Sequence, residues 1–130
     1  MTKNFNTKLE NATNELMELD DKLKVPTKGN KRYVMVADRV RIFRKHFGTD
    51  AIIETQVIHD GNFVRSESKI IIDGRVIANG NAEENRNFGM INKTSATEAC
   101  ETSSIGRALA NLGLQGGEYP SGDEMITAIN

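Results

Sequence analysis

Apolar side chains recur near the start of the chain at alternating intervals of four and three positions. They are Phe5, Leu9, Ala12, Leu16, Leu19 and Leu23. Glu, Asp, Lys and Asn fill most positions between them, so this heptad stripe predicts an amphipathic helix over residues 5–24. Pro26 ends it, because a residue before proline disfavours the helical conformation. The stripe fits packing within one domain or contact between subunits, and the sequence leaves both open.

A second helical pattern follows a polar loop at residues 27–32 and an extended piece at 33–36. Its apolar face carries Val36, Val40, Phe43 and Phe47. The spacing predicts a helix over residues 37–47, which Gly48 ends.

The middle of the chain predicts an antiparallel meander. Strands are expected at residues 51–58, 63–72 and 75–82, joined by turns at 59–62 and at Asp73-Gly74, the strongest short hairpin signal. Alternation along the middle strand separates two sets of side chains, Arg65, Glu67 and Lys69 against Val64, Ser66, Ser68 and Ile70. The first set predicts a solvated, partly basic face, and the long helix described next should cover the opposite face.

The last strong pattern is a long helix with both ends marked. Ser95 and Glu98 have the spacing of a capping box, and Gly113 can close the helix in a left-handed conformation. The apolar face between them consists of Ala96, Ala99, Cys100, Ile105, Ala108, Leu109 and Leu112. These small side chains, together with Gly106, predict close approach to the preceding sheet.

The predicted fold is α+β, with N-terminal helices and a three-stranded antiparallel β-meander packed on one long α-helix. We expect an N-terminal amphipathic helix over residues 1–26, a β-β-β-α core within 27–117, and a short helix or tail at 118–130. Ser121 with Glu124 would cap that terminal helix.

The amino-acid composition indicates where the protein is located but does not indicate what it binds. The net charge is −1 over 130 residues, so bulk charge neither favours nor opposes a polyanionic partner. The single Cys100 cannot form an internal disulfide, and the first residues show no hydrophobic signal segment. We therefore expect a cytoplasmic protein without a membrane span.

No motif for catalysis, metal binding or a cofactor is evident. Gly116-Gly117 lacks the Lys and Ser or Thr of a phosphate-binding loop. His46 and His59 lack metal-ligand spacing, and Ser103 and Ser104 lie mid-helix without a neighbouring base. We expect a protein that is not an enzyme.

Charge is strongly asymmetric in one region, where Asp38 is the only acid. The basic residues there are Lys28, Lys31, Arg32, Arg39, Arg41, Arg44 and Lys45. Such a cluster is either a solvated face or a surface that neutralises phosphates. Three aromatic residues are either core or stacking surfaces for unpaired bases, namely Tyr33, Phe63 and Phe88.

The order of elements and the run from Asn92 to Gly113 resemble the single-strand annealing proteins of the Rad-fifty-two superfamily. The likeness is to the short phage and prophage recombinases of the Sak type, and Arg107-Ala108-Leu109 followed by Leu112-Gly113 is its most specific part. The resemblance implies ATP-independent binding of single-stranded DNA and annealing of complementary strands in phage recombination and repair. It also implies a homo-oligomeric ring or filament in the bacterial host, with an exonuclease or single-strand-binding protein as further partners.

The same resemblance implies DNA contacts from the helix and the hairpin. Lys93 and Arg107 would be the helix positions, and Arg65, Lys69 and Arg75 the hairpin positions. Glu98 and Glu101 depart from the more basic helix of relatives, so Lys31, Arg32, Arg39, Arg41, Arg44 and Lys45 are assigned contacts as well.

Two other functions compete with annealing. A double-stranded RNA-binding domain shares the order α-β-β-β-α, although only Lys93 lies at the start of the long helix here. The other is a non-catalytic oligomeric adaptor that uses the N-terminal stripe.

Overall fold

The computed structural model describes residues 2–26 and 32–119. Two predicted features lie outside these residues. They are the basic loop that contains Lys28 and Lys31, and the terminal helix that Ser121 would begin.

The N-terminal helix α1 spans Thr2–Leu23 and packs on the second helix, α2, which spans Val36–Phe47. The ring centroids of Phe5 and Phe47 are 5.7 Å apart, and Ala12 and Leu16 are buried in the core. The apolar stripe of α1 therefore packs within its own chain.

A short antiparallel ribbon between the two helices was not predicted. Strand β1, Lys24–Pro26, pairs with strand β2, Arg32–Val34. The periodicity assigned Lys24 to the helix, but the chain has already turned into β1 there.

The sheet is an antiparallel meander in the order β3-β4-β5. Strand β3 spans Ile52–Asp60, β4 spans Phe63–Ile72 and β5 spans Arg75–Asn85. The predicted Asp73-Gly74 turn is present, and both residues have positive φ, 52° and 76°.

Strand β5 continues past the predicted end at residue 82, because Asn85 still pairs with Phe63. The segment 83–85, which lies beyond the predicted strand, therefore belongs to the sheet.

The long helix α3 spans Gly89–Leu112 and begins earlier than predicted. Ser95 has non-helical backbone angles, φ −143° and ψ 38°, so the capping-box signal coincides with a break between two helical segments. Phe88 is the N-cap and makes no side-chain capping hydrogen bond. Gly113 ends the helix as predicted, with φ 126°.

The helix α3 lies across β5 and β4, and the main core fills the space between the helices and one face of the sheet. The predicted alternation along β4 is confirmed, since Val64, Ser66, Ser68 and Ile70 are all buried. Gly80 of β5 permits the close approach, because a Cβ there would overlap the backbone of Ser104 and Ala108. The predicted α+β fold, a three-stranded meander packed on one long helix, is confirmed.

Candidate nucleic-acid interface

Arg39, assigned above to a phosphate contact, is completely buried. It forms a salt bridge with Glu118, whose side chain is only 7% exposed. Its guanidinium also donates to the carbonyl oxygens of Val34, Gly106 and Leu114 at 3.1–3.2 Å. Arg39 therefore joins α2 to β2, to α3 and to the segment after α3. Its assignment as a nucleic-acid contact is wrong, because no atom of it reaches the surface.

Tyr33 completes this buried group. Its hydroxyl donates to Glu118 at 2.8 Å and accepts from Arg39 at 2.9 Å. Burial, followed by the hydrogen bond to Glu118, raises the pKa of Tyr33 to about 12. Two glycines leave room for the arginine, since a Cβ at Gly106 or Gly116 would press on its side chain.

The other described cations of the predicted basic cluster are held by local partners. Arg44 donates to the carbonyl oxygens of Gly48 and Ala51. Lys45 donates to Glu15 of α1 at 2.6 Å, and Arg41 lies 3.2 Å from Asp38. The last member, Arg32, donates to the backbone carbonyl oxygens of Asp21 and Lys24 at 3.1–3.2 Å.

Glu15 also accepts from His46 at 3.1 Å, so one carboxylate links two side chains of α2 to α1. The hydrogen bond from Lys45, with a smaller one from His46, lowers the pKa of Glu15. Glu15 thus joins α1 to α2. Arg41 and Lys45 remain exposed at the surface, so their assignment as nucleic-acid contacts stays a prediction.

The remaining predicted contacts do not converge on one surface. Arg65 and Lys69 lie on the open face of β4, where Glu67 is 3.9 Å from Lys69. Arg75 follows the Asp73-Gly74 turn at the other end of the strand. Arg107 lines a cleft of about 390 Å³ beside β5 together with Tyr33, Ser103, Glu118 and residues 81–84.

One end of the sheet carries a feature that the sequence did not reveal. We call it the turn end: the β3–β4 turn with its flanking residues 59–63, and the connection from Arg86 into the first turns of α3. The backbone N–H of Arg86 donates to Asn62 at 2.8 Å. Its guanidinium donates to the carbonyl oxygens of Gly61 and Phe63 and to Nδ1 of His59. Arg86 therefore fixes the turn against the start of α3.

The turn end also exposes aromatic and charged groups. Phe88 is 72% exposed and Phe63 is 41% exposed, which leaves both rings available for contact. Lys93 is exposed, and within the described chain it has no hydrogen bond or ion pair. Asp60 is an exposed acid at the same end. The amide groups at the N-terminus of α3 add a partial positive charge there.

Arg86 was missed because it lies between the last predicted strand and the long helix, in a segment for which the sequence predicts no element. A lone arginine between the last strand and the long helix was the available signal. Its meaning depends on the neighbouring turn, more than twenty residues earlier in the chain.

The hydroxyl group of Ser104 in α3 forms a buried network with hydroxyl groups of the sheet. Ser104 accepts from Ser66 at 2.8 Å and from Ser68 at 2.7 Å, and donates to the carbonyl of Glu101 at 2.9 Å. Thr55 in turn donates to Ser68 at 2.9 Å. Every hydroxyl has a partner, so the network joins helix to sheet.

Two negative findings apply to the described residues. No cluster of three or more His, Cys, Asp or Glu side chains has the geometry to hold a metal ion. None of the described helices has an apolar stretch that could span a bilayer.

A family model described as Slr1353 N-terminal dsRNA-binding domain-like matches residues 40–112. The matched region covers most of α2, the whole sheet and α3, which is more than half of the 130 residues. Neither a curated protein nor a solved structure matches the chain.

The match overturns the resemblance to single-strand annealing proteins and, with it, the predicted role in annealing, recombination and repair. The segment Asn92–Gly113 suggested the wrong family because its small residues are required for packing and not for DNA binding. Gly106 makes room for Arg39, and Ser104 and Ala108 lie against Gly80. A helix that seats closely on a three-stranded meander needs such residues whatever the domain binds.

Proposed function

Since the chain belongs to the Slr1353 N-terminal dsRNA-binding domain-like family, we propose that it binds double-stranded RNA. The family match carries this proposal, and the order α2-β3-β4-β5-α3 supports it. The proposed activity is binding alone, without catalysis.

Recognition of duplex RNA by shape is compatible with the charge of this chain. Domains of this class contact minor grooves and the phosphates of the intervening major groove, largely without reading sequence. A net charge of −1 therefore does not oppose binding, provided that a few cations and backbone amides are well placed.

The turn end is the part of the surface best suited to this contact. Arg86 holds the β3–β4 turn in a fixed position, and the Gly61-Asn62 tip projects beyond the sheet. We propose that this tip enters a minor groove, where 2′-hydroxyl groups are accessible. Lys93 and the first amides of α3 would then bind the adjacent phosphates.

A binding panel tests the proposal directly. Duplex RNA, duplex DNA, single-stranded RNA and single-stranded DNA of the same length are compared by fluorescence anisotropy at several salt concentrations. We expect the tightest binding to duplex RNA, because only the A-form minor groove presents paired 2′-hydroxyls. Equal or tighter binding to single-stranded DNA would overturn the proposal.

Matched variants then locate the contact. Lys93→Ala should weaken binding and reduce the salt slope by about one, as expected for one lost phosphate contact. Lys69→Ala, on the open sheet face, is its control. Asp60→Asn should strengthen binding by removing a repulsive charge, whereas Asp50→Asn, which lies beside Phe5 and Ile72, should not. Identical effects of each variant and its control would exclude the turn end.

A further inference from the structure

The free edge of β3 is rich in β-branched residues. Within residues 2–26 and 32–119, β3 pairs with β4 on one side and has no neighbouring strand on the other. Five of its residues are Ile, Val or Thr, and it contains neither Lys nor Pro, the residues that usually protect an edge strand. These β-branched residues are Ile52, Ile53, Thr55, Val57 and Ile58.

The opposite edge of the sheet is treated differently. Asn111 of α3 donates its side-chain amide to the backbone carbonyl of Asn79 in β5 at 2.5 Å, and Tyr119 donates to Asn111. A bulge opposite Ile70 and Ile71 further interrupts β5. Side chains thus bind part of the β5 edge. In the described chain, no such side-chain contact is seen at the outer edge of β3.

The sequence of β3 is nearly the same in both directions about Thr55. When a two-fold axis relates two identical antiparallel strands, one residue of the strand lies directly opposite the same residue of the second copy. That residue defines the register. With the axis at Thr55, Ile52 lies opposite Ile58 and Ile53 opposite Val57. Glu54 then faces Gln56 of the second copy, so no like charges are opposed among residues 52–58.

Neighbouring registers are less favourable. An axis at Glu54 places the two Glu54 carboxylates opposite each other. An axis at Gln56 places Ile52 opposite Asp60 and Glu54 opposite Ile58. Only the register centred on Thr55 matches apolar with apolar on both faces of the strand.

We propose that β3 is a homodimer interface, in which two copies pair their β3 strands antiparallel about Thr55. The two meanders then form one six-stranded sheet in the order β5-β4-β3-β3-β4-β5. Pairing satisfies the open backbone groups of β3 and covers Ile52 and Ile58, which are 48% and 39% exposed in the single chain. The inference does not depend on RNA binding, since the turn end takes no part in the strand contact.

The mass in solution tests the dimer. Analytical ultracentrifugation should give twice the 14.4 kDa chain mass for the wild-type protein. Ile58→Lys should restore the single-chain mass, because it puts a charge into the apolar pair with Ile52. Val76→Lys is the matched control, since Val76 is also an exposed apolar residue, on the open face of β5. It should leave the mass doubled.

Disulfide trapping tests the register even if Ile58→Lys does not fold. Thr55→Cys should give a covalent dimer under mild oxidation by oxidised glutathione, because the two Cβ atoms lie about 5 Å apart in this register. Gln56→Cys should react much more slowly, since its counterpart is displaced along the strand. Wild type should not cross-link, because Cys100 is buried.

A wild-type protein that sediments as a single chain at all accessible concentrations overturns the proposal. So does a dimer that dissociates with Val76→Lys but not with Ile58→Lys, which would assign the contact to the other side of the sheet. Faster trapping of Gln56→Cys than of Thr55→Cys would refute the register. RNA binding is measured separately, so its failure leaves these outcomes interpretable.

Discussion

The helices α2 and α3 show that the number of cations in a segment does not indicate how many of them are free to bind a ligand. On α2, Arg39, Arg41, Arg44 and Lys45 crowd into two turns, yet each has a partner within the chain. On α3, Lys93 and Arg107 are exposed and make no ion pair with any described residue.

The difference follows from the neighbours of each helix. The helix α2 lies between α1, which supplies Glu15, and the segment after α3, which supplies Glu118 and the backbone carbonyl of Leu114. The helix α3 packs with small side chains on the sheet, and its polar side faces solvent. How many cations of a basic cluster are available to a phosphate therefore depends on the acceptors that the fold brings to them.

The largest expected effect comes from removing the buried cation of α2. Arg39→Met should lower the free energy of unfolding by about 3–5 kcal/mol, because it leaves the carboxylate of Glu118 buried without a counter-charge. Arg41→Met, at an exposed pair, should cost less than about 1 kcal/mol. Urea denaturation followed by circular dichroism measures both.

Urea denaturation of a double variant tests whether the buried Arg39–Glu118 pair causes this loss. Arg39→Met combined with Glu118→Met should recover part of the lost stability, since neither charge then remains buried alone. Equal costs for Arg39→Met and Arg41→Met would show that the buried pair is not what distinguishes α2.

The seating of α3 on the sheet is tested at Gly80. Gly80→Ala should destabilise the fold by about 3 kcal/mol, at the upper end of overpacking effects, because the added Cβ meets backbone atoms that cannot rotate away. Asn81→Ala, the exposed neighbour on β5, should change stability by less than about 0.5 kcal/mol. A small effect of Gly80→Ala would mean that α3 can lift from β5 easily.

The buried hydroxyl network should contribute less. Ser104→Ala removes the acceptor of Ser66 and Ser68, which leaves the buried Ser66 hydroxyl without its partner while Ser68 keeps its bond to Thr55. We expect a loss of about 1–2 kcal/mol in thermal or urea unfolding. Ser103→Ala, one position away and partly exposed, is the control and should be nearly neutral.

The smallest effect concerns pH and the contact between α1 and α2. The pKa of Glu15 is lower in the folded chain, so its contribution to stability is present above the ordinary value of 4.5. That contribution is lost as pH falls through the lowered pKa. Glu15→Gln should therefore be less stable than wild type at neutral pH and should approach it in acid. A gap that does not change with pH would exclude this ionic contribution.

Local patterns predicted most of the fold correctly. The heptad stripe identified α1, the Asp73-Gly74 pair identified the β4–β5 turn, and the alternation along β4 identified its buried face. Each of these signals depends on residues close together in the chain. The capping box at Ser95 failed as a start signal because α3 begins six residues earlier and only breaks there.

The candidate interface was much less predictable. Arg39 and Arg86 look alike in the sequence, yet Arg39 is buried against Glu118 while Arg86 braces a turn at the surface. Their partners lie far away along the chain, so neither role could be read from spacing. The exposure of Lys93 likewise depends on what surrounds the first turns of α3.

The amino-acid sequence by itself determined the elements, the face of β4 that is buried and the near-symmetry of β3 about Thr55. These are consequences of side-chain periodicity and turn chemistry, which act over a few residues. Only the tertiary structure decided which cations remain free, because that depends on carboxylates and carbonyls brought from distant segments. The buried bond between Arg39 and Glu118 shows the reason most clearly, since it joins residues 79 positions apart.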